Sequence, residues 1–137
     1  MTLLPISSAD YPSLQRDGDH ILYFDLAAVE QTTAAQDACC PLTHFAVLSI
    51  SGTDATTFLQ GQLTCDVTSA TLSSSIMGAY CDRKGRVLVN FHLVKLNEDG
   101  YGLVMPTSML VDTQNSLQKY AMFSKVKIEV ATDLHCM

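Results

Sequence analysis

The stretch that most restricts the fold is residues 86–96, an extended run that is apolar on both sides. One side carries Val87, Val89, Phe91, Leu93 and Lys95, and the other carries Leu88, Asn90, His92, Val94 and Leu96. Because side chains alternate between the two faces of a strand, a strand of this composition is expected to be covered on both faces. We therefore predict a central strand in which Asn90 and His92 are the polar interruptions.

The flanking sequence supplies partners for this strand. Turn residues at 82–86 and 97–100 separate it from strands at 75–81 and 101–105, a pattern that predicts a three-stranded antiparallel meander. A strand at 44–50 and a helix at 54–63 come before the meander, and a helix at 107–120 and a strand at 125–130 follow it. The predicted fold class is α+β, a mainly antiparallel sheet with helices packed on one face.

Length and composition restrict the domain organisation. With 137 residues, of which 47% are hydrophobic, the chain has the size and composition of one compact domain rather than a disordered protein. We assign residues 1–42 to a lead-in segment with a short strand at 21–26, and residues 43–137 to the α+β domain. No apolar run approaches the roughly 20 residues of a membrane helix, and residues 1–12 do not resemble a secretory signal. We predict a cytoplasmic protein with no membrane partner.

The charges are unevenly distributed. The net charge of −6 argues against a surface built entirely for nucleic acid, so direct nucleic-acid binding is disfavoured. Six bases nevertheless form two clusters along the chain: Arg83, Lys84 and Arg86, then Lys119, Lys125 and Lys127. Two interpretations stay open, namely solvated faces or one positive patch that binds tRNA or a protein partner through Arg83, Lys84, Arg86, Lys125 and Lys127.

The sequence contains few signals of catalysis. Its five cysteines include no C-x-x-C pair and its four histidines are isolated, so we predict neither a metal site nor a disulfide framework. Phosphate-binding glycine loops and the G-x-S-x-G motif are absent from the sequence, and we assign no catalytic residue. Asn90 stands out because a buried amide needs partners for two donors and one acceptor, which either a ligand or the sheet could supply.

Three sequence blocks together resemble the YgfZ-type folate-binding proteins, which are relatives of the glycine-cleavage aminomethyltransferase (T-protein). The blocks are FLQGQLTCDV at 58–67, AYCDRKGRV at 79–87 and KYAMFSKV at 119–126. Their order and spacing match the family from about residue 43 to 130. The family's later K-G-C-Y-x-G-Q-E motif does not occur here, so the resemblance implies the N-terminal portion of such a protein without its C-terminal half.

The resemblance implies a function and a site. It implies a tetrahydrofolate-binding protein that supports the maturation or repair of iron–sulfur enzymes, and through such client enzymes affects tRNA modification. It places Asn90, Tyr80 and Asp66 near the folate channel, with Gln60 and Gln62 shaping the turn beside it. Asp66 has an equally strong structural interpretation, since it can cap the turn that follows it.

Asn90 also separates two branches of this superfamily. In the aminomethyltransferase branch the matching position is an aspartate that assists the folate chemistry, and an amide cannot replace a carboxylate as a base. We therefore favour folate binding without catalysis by this chain, and keep a fragment of an aminomethyltransferase as the alternative. We expect the isolated chain to bind folate weakly or not at all, and to form a homo-oligomer through an exposed apolar face.

Overall fold

The structure is a computed structural model that describes residues 3–4, 14–17, 20–24, 42, 44–131 and 135–136. In chain order the strands are β1 (Leu3–Leu4), β2 (Leu14–Asp17), β3 (His20–Phe24), β4 (Phe45–Ser51), β5 (Ser75–Cys81), β6 (Val87–Asn97), β7 (Gly100–Pro106), β8 (Lys127–Ala131) and β9 (His135–Cys136). The helices are α1 (Ala55–Gln60) and α2 (Thr107–Ala121), and a 3₁₀ turn spans Val67–Ser69.

The chain divides into two compact units, His44–Thr132 and a smaller one formed by Met1–Thr43 with Asp133–Met137. Within the smaller unit, β1 pairs with β9 and β2 pairs with β3, both antiparallel. The strand predicted at 21–26 corresponds to β3, and the last two residues of that prediction lie outside the described residues. Its partner β2 was not predicted because LQRD carries a single apolar residue and no β-branched one.

The larger unit is built on a five-stranded antiparallel sheet in the order β5-β6-β7-β4-β8. Strands β5, β6 and β7 form the predicted meander, and β6 is an interior strand as expected. Strand β4 lies between β7 and β8 and pairs with both. The first and last strands of the unit are therefore neighbours in the sheet. The predicted α+β class is confirmed.

The turn between β5 and β6 is organised by one carboxylate. Asp82 accepts hydrogen bonds from the backbone N–H groups of Lys84 (2.8 Å) and Arg86 (3.0 Å), and from Nε of Arg86 (2.7 Å). Gly85 adopts a φ of +75°, a conformation that residues with a side chain rarely take. These contacts explain why DRKGR forms a tight reversal between two strands.

Helix α1 is shorter than the predicted span of 54–63. It ends at Gln60, and Leu63 instead forms an isolated bridge to Tyr80 of β5. The entry to the helix is fixed from a distant part of the chain, because the Asp54 carboxylate accepts the Lys125 N–H at 2.7 Å. At Gly52, where φ is +132°, an added Cβ would lie 2.1 Å from the Lys125 carbonyl oxygen. Glycine is therefore required for this close approach of two backbones.

Both helices pack against the same face of the sheet, as predicted. The core there is formed by buried residues of α1, α2, the connecting loop and all five strands: Leu48, Ile50, Ala55, Phe58, Leu59, Leu63, Val67, Ala70, Tyr80, Val89, Phe91, Leu93, Tyr101, Leu103, Met105, Leu110, Leu117 and Ile128. We refer to this side as the helix face of the sheet.

The opposite face, which we call the open face, is buried only in part. Val47 and Val94 close over Gly102, each with a methyl carbon 3.0 Å from the position of a Cβ on that glycine. Val47, Val94 and Val104 are buried. Asn90, near the start of β6, is exposed, whereas Leu88 lies at the irregularity in the pairing of β5 with β6 and is not part of this face. The prediction that β6 is covered on both faces is therefore wrong for its first half, because that half extends past the buried valines toward the β5–β6 turn.

Candidate functional site

A pocket on the open face contains the amide that the sequence singled out. Its volume is about 320 Å³, and it is lined by Phe45, Met77, Asn90, Phe91, His92, Val104 and Pro106. Strand pairing explains the convergence, because Met77 and Val104 lie opposite His92 on the two neighbouring strands. We call it the Asn90 pocket.

The Asn90 side chain is exposed within this pocket. No hydrogen bond joins its amide to another of the described residues, so its donors and acceptor are available to a ligand. Phe45, Val104 and Pro106 add aromatic and aliphatic side chains, beside the half-buried His92 and the thioether of Met77, while the Phe91 ring is buried in the core of the helix face. Among the described residues, no aspartate or glutamate lines the pocket. Such a surface can hydrogen-bond a flat heterocycle at one point and contact its faces elsewhere.

Asp66 performs the capping role that the sequence left open. Its carboxylate accepts hydrogen bonds from the Thr68 N–H (3.0 Å), the Thr68 hydroxyl (2.6 Å) and the Ser69 hydroxyl (2.7 Å). These hydrogen bonds, led by the one from the Thr68 hydroxyl, hold the pKa of Asp66 below its ordinary value of 3.8. The side chain is thus engaged in the 3₁₀ turn that starts at Val67.

Gln60 and Gln62 occupy different surroundings. The side-chain oxygen Oε1 of Gln60 accepts the Val67 N–H at 2.8 Å, which ties the end of α1 to the loop after it. Gln62 instead lies with Tyr80 in a second pocket.

The second pocket is on the helix side of the β5–β6 hairpin and has a volume of about 440 Å³. It is lined by Gly61, Gln62, Tyr80, Cys81, Asp82, Arg83, Leu88, Ser116, Lys119 and Tyr120. We call it the Tyr80 pocket. The register separates it from the Asn90 pocket, because Asn90 pairs with Ala79 while the next residue, Tyr80, points to the helix face.

The five predicted site residues therefore do not converge on one point. Asn90 lines one pocket, Tyr80 and Gln62 line the other, and Gln60 and Asp66 organise the loop between α1 and β5. Their contact with folate stays a prediction. Sequence reasoning did not assign His92 and Met77 to a site, although alternation along β6 and pairing with β5 could have identified both. Lys119 was noted in the sequence as a member of a basic cluster, but its place beside Tyr80, like that of Tyr120, was not predicted because no sequence signal fixes where α2 crosses the sheet.

The structure divides the second basic cluster. Lys119 lines the Tyr80 pocket together with Arg83 of the β5–β6 turn. Lys127 instead pairs with Ser51 on the far side of the sheet, at the end marked by the β6–β7 turn. Arg86 forms an ion pair with Asp82 at 2.7 Å and Lys127 with Glu129 at 2.8 Å. The alternative that joined five bases, Lys125 and Lys127 included, in one surface is therefore wrong, since the antiparallel order puts these two lysines at the corner diagonal to the β5–β6 turn.

None of the described helices has the length and hydropathy needed to cross a membrane. Within the same part of the chain, no three His, Cys, Asp or Glu side chains are grouped so as to hold a metal ion.

Comparison with known proteins identifies relatives of the chain. No protein-family profile matches it. The tRNA-modifying protein YgfZ of Photobacterium profundum is 42% identical over 106 residues, which is 74% of this chain and 32% of that protein. The protein of the same name from Colwellia psychrerythraea is 39% identical over 93 residues, covering 68% of this chain and 28% of the relative.

A solved structure shares the fold. The glycine cleavage system aminomethyltransferase T from Bartonella henselae superposes with a TM-score of 0.62 at 19% identity, over 66% of this chain and 25% of that protein. The chain spans about a third of the length of the curated relatives it matches. These similarities identify it as a relative of the YgfZ proteins, built on part of the aminomethyltransferase fold.

Proposed function

We propose that this chain supplies one wall of a tetrahydrofolate site in a YgfZ-like protein. The observation that carries the proposal is the Asn90 pocket, where an amide without a described hydrogen-bond partner stands among aromatic and aliphatic side chains. Its 320 Å³ is at the lower end of the roughly 300–1,000 Å³ typical of small-molecule sites. A pocket of this size can hold the ring system of a folate and leave the remainder for the other part of a complete protein.

The chemistry of the pocket favours binding over aminomethyl transfer. A pterin ring offers donors and acceptors along one edge, which an amide can match with both of its functions. Proton transfer or stabilisation of a developing cation calls for a carboxylate, and the described residues of the lining include none. Folate-dependent aminomethyl transfer tests this distinction when it is measured in a reconstituted full-length protein with Asn90 and with Asn90→Asp. A transferase should already be active with Asn90.

The wider role follows from the similarity to YgfZ proteins, whose name describes tRNA modification. We infer that the folate site serves iron–sulfur client enzymes, including those that modify tRNA. Complementation of a bacterial strain that lacks YgfZ tests this part. We expect rescue when the chain replaces the matched segment of the Photobacterium profundum protein, and loss of rescue in that hybrid with Asn90→Ala.

The folate site itself is tested by calorimetric titration with 5-formyltetrahydrofolate. We expect the chain to bind with a dissociation constant of about 1 mM, far weaker than a complete relative, because only one wall is present. The hybrid protein should recover tight binding, and Asn90→Ala should weaken it about tenfold. Binding by the isolated chain as tight as that of a complete relative, or a hybrid insensitive to Asn90→Ala, would refute the proposal.

A further inference from the structure

The Tyr80 pocket is positively charged within a chain whose net charge is −6. Arg83 of the β5–β6 turn and Lys119 of α2 both line it. Neither cation forms an ion pair with a carboxylate of the described residues. Among the described residues that line the pocket, Asp82 is the one acid, and its charge is already matched by Arg86 at 2.7 Å. The pocket is therefore suited to an anion.

The walls of the pocket are aromatic and aliphatic. Tyr80 is 6% exposed, whereas Tyr120 and Leu88 are 42% and 49% exposed. Burial, together with the neighbouring Tyr120 hydroxyl, raises the pKa of Tyr80 above its ordinary value of 10. Tyr80 thus forms the buried base of the pocket, and the more exposed Tyr120 ring is available to contact a flat ligand beside the two cations.

Neutral polar groups complete the rim. Gln62, which follows the end of α1, offers both hydrogen-bond donors and an acceptor, and the Ser116 hydroxyl of α2 offers one of each. The volume of about 440 Å³ falls within the range of small-molecule sites, roughly 300–1,000 Å³. The pocket therefore combines a flat apolar wall, an edge of neutral polar groups and a cationic end.

We propose that the Tyr80 pocket binds a nucleotide, either free or as one residue of an RNA chain. The base would lie against Tyr120 and Leu88 and present its edge to Gln62 and Ser116, while Arg83 and Lys119 bind the phosphate. Guanidinium groups match phosphate oxygens in pairs, and bases stack on aromatic rings without a strict sequence preference. The site is on the opposite side of the hairpin from Asn90, so it is independent of the proposed folate site.

The test measures binding of uridine and adenosine monophosphates to the full chain by NMR titration, with uridine, inorganic phosphate and glutamate as separate ligands. We expect the monophosphates to bind at least about fivefold more tightly than the nucleoside or phosphate alone, because both halves of the pocket contribute. Arg83→Gln and Lys119→Gln should each weaken monophosphate binding about tenfold. Tyr120→Leu should weaken it, and Tyr120→Phe should preserve it.

Lys84→Gln is the matched control, since it removes the same charge from the same turn but Lys84 does not line the pocket. It should leave monophosphate binding unchanged. A labelled oligouridylate distinguishes a site for free nucleotides from a site for RNA. An RNA site would bind the oligouridylate more tightly than the monophosphate and with a steeper salt dependence. Equal loss in the Lys84 and Lys119 variants, glutamate binding as tight as the monophosphates, or no monophosphate binding would each overturn the proposal.

Discussion

The two faces of β6 differ in what their side chains contact, although the residues alternate along one strand. On the helix face, Val89, Phe91 and Leu93 are buried in the core. On the open face, Asn90 is exposed and His92 half-buried, and both line a pocket. Because neighbouring residues alternate in direction, a polar group can be presented to a ligand one position away from a core residue. The alternation allows this sheet to present a polar side chain without interrupting its core.

The largest expected effect is a difference in the free energy of unfolding between substitutions on the two faces of β6. Leu93 is fully buried on the helix face. Leu93→Ala should lower the free energy of unfolding of the chain by about 3 kcal/mol, because the surrounding residues cannot completely fill the cavity that the leucine leaves. Asn90→Ala, three residues earlier on the open face, should change it by less than about 0.5 kcal/mol. Urea denaturation measures both values. Equal destabilisation by the two variants would remove the distinction between the faces.

The next prediction concerns the turn that joins β5 to β6. Hydrogen bonds from the Arg86 backbone and side chain, then from Lys84, hold the pKa of Asp82 below its ordinary value of 3.8. The carboxylate therefore stabilises the fold at every pH above 3.8, and this contribution is lost as the pH falls through the lower folded-state pKa. Asp82→Asn should flatten the decline of stability below pH 3.8 and leave the Leu93 core intact.

Acid denaturation followed by circular dichroism measures that slope. Glu98→Gln serves as a control because Glu98 is an exposed carboxylate in the other turn of the meander, with no described hydrogen bond to its side chain. The Glu98 variant should keep the slope of the parent chain. An unchanged slope in Asp82→Asn would show that the turn does not depend on the charge of its carboxylate.

A smaller effect, on self-association of the chain, should come from exposed apolar residues that lie outside both faces of β6. Met122 and Phe123, directly after α2, are 77% and 96% exposed. We propose that this surface pairs two copies of the chain when no other partner covers it. Phe123→Ser should lower the apparent mass in sedimentation at high protein concentration, while Leu72→Ser, an exposed control at 73%, should not. A chain that is monomeric at all concentrations would contradict this proposal.

The sequence predicted the elements of the larger unit well, for a physical reason. Strand alternation, two glycine-containing turns and helical spacing are local signals, and they placed β4 through β8 to within a few residues. The site depends on non-local geometry. Whether Tyr80 and Asn90 share a pocket is decided by the register of β5 against β6, and Lys119 reaches Tyr80 only because α2 crosses the helix face at that point. Neither placement is encoded in a local pattern.

The assignment of the folate wall to the open face is tested most directly by a map of chemical-shift changes when the chain is titrated with 5-formyltetrahydrofolate at millimolar concentrations. We predict changes centred on Asn90, His92 and Met77, with the helix-face residues Leu93 and Leu103 unaffected. Asn90→Ala should abolish those changes while the spectrum of the core stays the same. Changes centred on the Tyr80 pocket, or no change at any residue of the open face, would contradict the assignment of the folate wall to that face.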